Sequence, residues 1–151
     1  MSLEKDIQQE KFENEKQKVF INLLYTYQHL VTKISALFKS FGITRQQYNV
    51  LRILRGQHPK SASVKNIKTR MIDKMSDASR IVERLRIKNL IKRKPCSSDR
   101  RVVEVYITEK GLKLLNQVDP LVAEFEQNEI SLSINEAKSL NHSLDKLREN
   151  K

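Results

Sequence analysis

The chain has little of what makes loops, cross-links or membrane spans. Three glycines and three prolines occur in 151 residues, so long loops are few and helices should dominate. One cysteine, Cys96, excludes an internal disulfide and suits a reducing cytosol. No apolar run is long enough to span a bilayer. The first residues, MSLEKDIQQEKFENEKQK, hold no apolar segment of a secretory signal, so the expected location is cytoplasmic. His29, His58 and His142 have no metal-ligand spacing with one another or with Cys96, so neither metal nor cofactor is expected. Phosphate loops, dinucleotide fingerprints and nucleophile motifs are missing, and no enzymatic activity is expected.

Charge is what the chain has in excess. Charged residues are 31% and hydrophobic residues 38%, the balance of a folded chain with a charged surface rather than a disordered one. The net charge of +11 is unevenly placed: residues 42–111 hold 18 basic and 6 acidic side chains, a net of +12. The flanks, 1–41 and 112–151, are close to neutral. A polyanionic partner is expected at the middle, and the flanks must serve another purpose.

Periodicity divides the chain the same way. Phe20, Leu23, Leu24, Tyr27, Leu30, Val31, Ile34, Leu37, Phe38 and Phe41 recur at three- and four-residue steps, which predicts a long helix ending near Gly42. Its stripe fits either a core helix or one shared with a second subunit. Thr44 and Gln47 form a capping-box pattern for a second helix that Gly56 ends. A short helix with Val64, Ile67 and Met71 on one side follows. After a turn through Asp73 and Lys74 comes another, with Ala78, Ile81, Val82 and Leu85 inward. Two short helices joined by a tight turn form a helix-turn-helix unit. The period then changes to two. Leu90–Lys94 and Val102–Ile107 read as strands around a polar loop, a β-hairpin with a basic tip. From Thr108 the pattern is helical again; Pro120 should kink or restart it, and Ser133 with Glu136 caps a last helix. The expected fold is mainly α with a small β-hairpin. Residues 42–111 form a winged helix-turn-helix lobe between terminal helical arms, 1–41 and 112–151, that dimerise.

Such a lobe suits double-stranded DNA. The second helix of the unit enters the major groove by its N-terminal end. Its outward face offers Ser76, Asp77, Ser79, Arg80 and Arg84. Asp77 either accepts from a cytosine amine or stabilises the helix N-terminus. Arg100 and Arg101 at the hairpin tip suit a narrow minor groove, and Asp99 is either a brace for an arginine or a turn residue. Lys92, Arg93 and Lys94 either touch flanking phosphates or are solvated edge-strand charges.

The stretch IKTRMIDKMSDASRIVERLRIKNLIKRKPCSSDRRVVEVYITEKG resembles the winged helix-turn-helix of the bacterial MarR (multiple antibiotic resistance regulator) family. DRRVVEVYITEKG fits that family's D-x-R wing, the strand after it and a T-x-x-G helix start. RIVERLRIKNLIKR fits the end of its recognition helix and its first wing strand. The resemblance implies a homodimer held by its terminal helices, bound to a pseudo-palindromic operator, usually as a repressor. It implies release from DNA by a small aromatic effector. By position it puts Ser76, Asp77, Ser79 and Arg80 on the base-reading face, Asp99 as the wing brace and Arg101 in the minor groove. The chain departs from the family in lacking a glycine in the turn before the recognition helix and in carrying Asp77 where Ser or Thr is usual. Tyr25, Tyr27, His29 and Tyr48 fit an effector pocket or plain packing. Three alternatives stay open: a non-specific architectural DNA binder, a winged-helix protein-interaction module, and a redox-sensing regulator acting through Cys96.

Overall fold

The computed structural model describes residues 2–99 and 101–149. Its elements in chain order are α1 (Leu3–Asp6), α2 (Glu15–Ser40), α3 (Arg45–Arg55), β1 (Ala62–Ser63), α4 (Val64–Arg70), α5 (Ala78–Ile87), β2 (Ile91–Pro95), β3 (Val103–Ile107), α6 (Glu109–Glu129) and α7 (Ile134–Glu149). The helix starts are made by side chains, as the sequence marks them. Thr44 and Gln47 cap α3 reciprocally, at 3.1 and 3.2 Å. The Ser63 hydroxyl accepts from the Asn66 N–H and caps α4. Ser133 and Glu136 form the second capping box.

Helix ends are equally specific. Gly42 (φ +69°) and Asn89 (φ +58°) take the left-handed conformation just after α2 and α5. At each, two crossed backbone bonds close the last turn: Ile43 N–H to Phe38 and Gly42 N–H to Lys39, then Leu90 N–H to Leu85 and Asn89 N–H to Arg86. The α5 end therefore turns straight into β2.

The sheet has the order β1-β3-β2, antiparallel throughout, with Ile91 opposite Ile107, Arg93 opposite Val105 and Ala62 opposite Val105. The expected hairpin is present, and β1 adds a third strand too short to show any alternation. The four-residue α1 was also not anticipated. The core of this lobe draws on nearly every element: Val50, Leu51 and Leu54 of α3, Ile67 of α4, Val82 and Leu85 of α5, Val105 of β3, and Leu115 and Val118 of α6 are at most 1% exposed.

The chain divides after Asp119 into two compact units, 1–119 and 120–151. Of the kink or restart expected at Pro120, the restart is not seen: α6 runs through that residue as one helix, although the proline offers no N–H to the Asn116 carbonyl. In the first unit, Asp119 ties α6 to α3. It accepts the Tyr48 hydroxyl at 2.8 Å and pairs with the Arg55 guanidinium. Burial, then the neighbouring carboxylate, pushes the Tyr48 hydroxyl up to about 12. Burial raises the Asp119 carboxyl, but the bonds from Arg55 and Tyr48 outweigh it and hold it below the usual range. The second unit holds the rest of α6, where Val122 is buried, and α7, none of whose described residues is buried.

Gly111 makes the tightest approach of the three glycines. A Cβ there would collide with the Leu90 carbonyl oxygen and lie 2.7 Å from Ile107 Cγ1. Thr108 completes the motif: its hydroxyl donates to the Asn89 carbonyl at 2.8 Å and accepts the Gly111 N–H at 3.1 Å. The T-x-x-G spacing thus seats α6 on the junction of α5 and β2. Gly111→Ala should destabilise the protein by about 1–3 kcal/mol, the usual range for overpacking, read as a lower urea midpoint at unchanged slope.

Candidate nucleic-acid interface

Helices α4 and α5 pack against each other and α3. α5 buries Ala78, Val82 and Leu85 and half-buries Ile81. Ser79, Arg80 and Arg84 lie on its exposed side. A groove of about 330 Å³ is lined by Thr44, Gln46, Gln47, Ser76, Asp77, Arg80, Ile81 and Arg84. The structure thus brings the residues read from the sequence together, with two adjustments. Ser76 and Asp77 precede the helix, which starts at Ala78. Ser76 is half-buried, and its hydroxyl donates to Asp73 at 2.7 Å, so it faces the turn.

The acids of this lobe have structural tasks. The Asp77 carboxylate accepts the Arg80 N–H at 3.1 Å and caps α5, the helix-end role. Asp73 accepts the Met75 N–H at 3.1 Å; the Ser76 hydroxyl is the first cause that holds its carboxyl below the ordinary range. Asp99 accepts the Arg101 N–H at 2.9 Å, the turn role; a brace from Asp99 to a guanidinium is not seen among the described residues. Each of these three aspartates satisfies a backbone donor.

The wing is strand-held up to its tip. Arg101 is exposed there, and Arg100 lies outside the described residues. Lys92 and Lys94 each sit 5.8 Å from the centroid of the Tyr106 ring. Arg93 is less free than its strand position implied. Glu83 of α5 pairs with it and with Arg86, the latter at 2.8 Å. That tie joins the recognition helix to the wing, and because the partners are not local, no sequence pattern announces it. Cys96 is half-buried, with Sγ 3.1 Å from the Ser98 hydroxyl, which lowers its thiol pKa.

Sequence reasoning also passed over Lys65, Lys68 and Lys74. With Thr69 they line a groove of about 470 Å³ on α4 and the turn after it. The available signal was two lysines three residues apart on a helix whose inward side was already assigned. Among the described residues no group of His, Cys, Asp and Glu could hold a metal, and no helix is long and apolar enough to cross a membrane.

A helix-turn-helix backed by a three-stranded wing, with the net positive charge concentrated on that lobe, defines a winged-helix DNA-binding protein. Comparison narrows this. The MarR family model matches residues 43–103. The crystal structure of a MarR transcription factor from Planctomyces limnophilus is 30% identical, covers 93% of this chain and 100% of its own, and superposes with a TM-score of 0.69. The HTH-type transcriptional regulator MhqR of Bacillus subtilis is 29% identical over 103 residues, 68% of this chain and 70% of its own. BpsR of Bordetella bronchiseptica, whose structure concerns regulation of its DNA binding by 6-hydroxynicotinic acid, shares the fold at 23% identity, with a TM-score of 0.78 over 94% of this chain and all of its own. The chain belongs to the MarR family of DNA-binding transcriptional regulators.

Replacing Lys65 and Lys68 together by Gln should lower the slope of log K against log salt by about 2, at roughly 0.9 per lost phosphate contact. Titration of duplex DNA at several salt concentrations checks it; an unchanged slope removes this groove from the interface.

Proposed function

We propose that the protein is a homodimeric repressor that reads a pseudo-palindromic operator and is released by a small aromatic effector. The observation that carries the reading is the outer side of α5. Ser79, Arg80 and Arg84 are exposed together, and the nearby Asp77 is committed to the helix cap. Arg80 and Arg84 are the candidates for bidentate contacts to guanine, each worth about 1–3 kcal/mol of discrimination. Arg101 enters the minor groove, with Arg100 beside it in the chain. Lys92 and Lys94 meet phosphates, and Arg93 holds the wing to α5 through Glu83.

The arms, 1–41 and 112–151, dimerise in this reading. Supporting it, apolar side chains stand exposed on α2 (Phe20 62%, Leu24 55%, Tyr27 54%) and in the second unit (Ile134 76%, Leu147 50%). A second copy covers them, and two-fold symmetry matches two half-sites.

Effector release draws support from BpsR. A cleft of about 390 Å³ in the first unit combines apolar Phe41, Ile43, Leu90 and Leu114 with Lys88, Lys110 and Lys113, a fit for a small aromatic acid. Such a ligand acts only by binding the released form better. Moving the population from 1:99 to 99:1 takes about 10⁴-fold preference.

Selection of bound duplexes from a random library, at near-physiological salt, tests the reading. The expected result is an inverted repeat with half-site centres about 10 base pairs apart, one helical turn. Enrichment of no sequence would leave an architectural binder. Phe20→Glu with Leu24→Glu should convert the dimer to monomer in sedimentation and weaken operator binding; a persistent dimer places the interface elsewhere.

A further inference from the structure

The turn between α4 and α5 exposes two apolar side chains, Ile72 and Met75. Met75 is 94% exposed, the most exposed of the large hydrophobic residues described. Its backbone is held firmly. The Asp73 carboxylate accepts the Met75 N–H at 3.1 Å and the Ser76 hydroxyl at 2.7 Å. The Asp73 carbonyl accepts the Ser76 N–H at 3.4 Å, and Asn49 accepts the Ile72 N–H at 3.0 Å. Two residues later Asp77 caps α5, so Met75 travels with the end of the helix that enters the major groove.

The surroundings say what such a residue meets. Lys74 precedes it and lines the lysine groove with Lys65 and Lys68. Arg80 and Arg84 line a second groove with Ser76 and Asp77. With Lys65 and Lys68 on α4, Lys74 in the turn and Arg80 and Arg84 on α5, these elements carry five cations, which suits an apolar protein partner poorly. The edge of a DNA major groove fits, because phosphates flank it and one base there presents an apolar group. That group is the 5-methyl of thymine. An unbranched, polarisable thioether adapts to a methyl more readily than a branched side chain.

We propose that Met75 is a specificity-determining residue that contacts the 5-methyl group of one thymine in each half-site. The inference rests on the sequence-specific DNA reading above. It adds a thymine preference to the guanine preference of the Arg80 and Arg84 guanidinium groups on α5. Asp73 is its positioning residue: it fixes the backbone at Met75 and touches no base.

The test uses the full chain and the duplex that library selection returns. Each thymine is replaced in turn by deoxyuridine, which removes one methyl and leaves the hydrogen-bonding pattern intact. Binding of wild type, Met75→Ala and Met75→Leu is followed by fluorescence anisotropy. At one thymine per half-site the replacement should weaken wild type about fourfold, the transfer value of a single methyl group. Met75→Ala should bind the unmodified duplex more weakly and lose the response to deoxyuridine at that position, while Met75→Leu keeps it. A wild type indifferent to every replacement, or a Met75→Ala variant as sensitive as wild type, overturns the thymine contact. A wild type that selects no sequence overturns instead the reading on which the contact rests. Met75 is exposed, so unchanged circular dichroism of the variants is expected and keeps a folding defect apart from a lost contact.

Discussion

Three parts of the DNA-binding lobe meet at the backbone of one residue, Leu90. Its N–H closes the last turn of α5 on the Leu85 carbonyl, and its own carbonyl accepts the Thr108 N–H that leads into α6. The same carbonyl lies against Gly111, and its side chain is 4% exposed. Recognition helix, wing and α6 are therefore set against one another by backbone geometry, with little dependence on side-chain choice. Asn89 in the left-handed conformation makes the turn, and Gly111 makes room for it. A helix held this way at its C-terminal end presents its N-terminal end at a fixed angle, which the proposed base reading requires.

Charge economy follows from the same frame. A lobe carrying +12 over residues 42–111 could lose its field to internal pairs. Its aspartates instead face backbone donors: Asp73 at Met75, Asp77 at Arg80, Asp99 at Arg101. These caps stabilise the turn, the helix and the wing while leaving Arg80, Arg84 and Arg101 outside any ion pair among the described residues. Glu83 is different, since it takes Arg86 and Arg93. That costs the surface two cations and gains a tie between α5 and β2, partly exposed and so modest in energy. Asp119 does the corresponding work at the far end of the first unit, where it fastens α6 to α3 one residue before Pro120.

The legible part of the fold was its local part. Capping boxes at Thr44 and Ser133, the left-handed Gly42 and the change of period after Asn89 are all short-range signals, and each appears where its residues stand. Strand β1 was hidden because two residues show no period. Helix α1, with four residues, is below the length at which periodicity speaks. At the interface, exposure of Arg80 and Arg84 followed from the opposite face being apolar. The inward turn of Ser76 did not, because it depends on Asp73 three residues away accepting a hydroxyl instead of leaving it to solvent. The Glu83–Arg93 pair needs the angle between helix and wing, which only the folded chain sets.

In the proposed reading affinity and specificity are carried by different residues, and their physics differs. There the lysines at 65, 68, 74, 92 and 94 meet a phosphate lattice that is the same on any duplex, so their contribution would fall with salt and be blind to sequence. The α5 end must discriminate against that background. Hydrogen-bonding groups alone identify a guanine or an adenine well, but they treat thymine as one acceptor among several. An apolar contact restores the distinction because it depends on a methyl group and hardly on salt. A rigid turn is what makes such a contact useful. Burying one methyl is worth about 0.8 kcal/mol, which an unrestrained methionine would largely lose in side-chain and backbone entropy. With the Met75 backbone already fixed by Asp73, only side-chain rotamers remain to be ordered on binding.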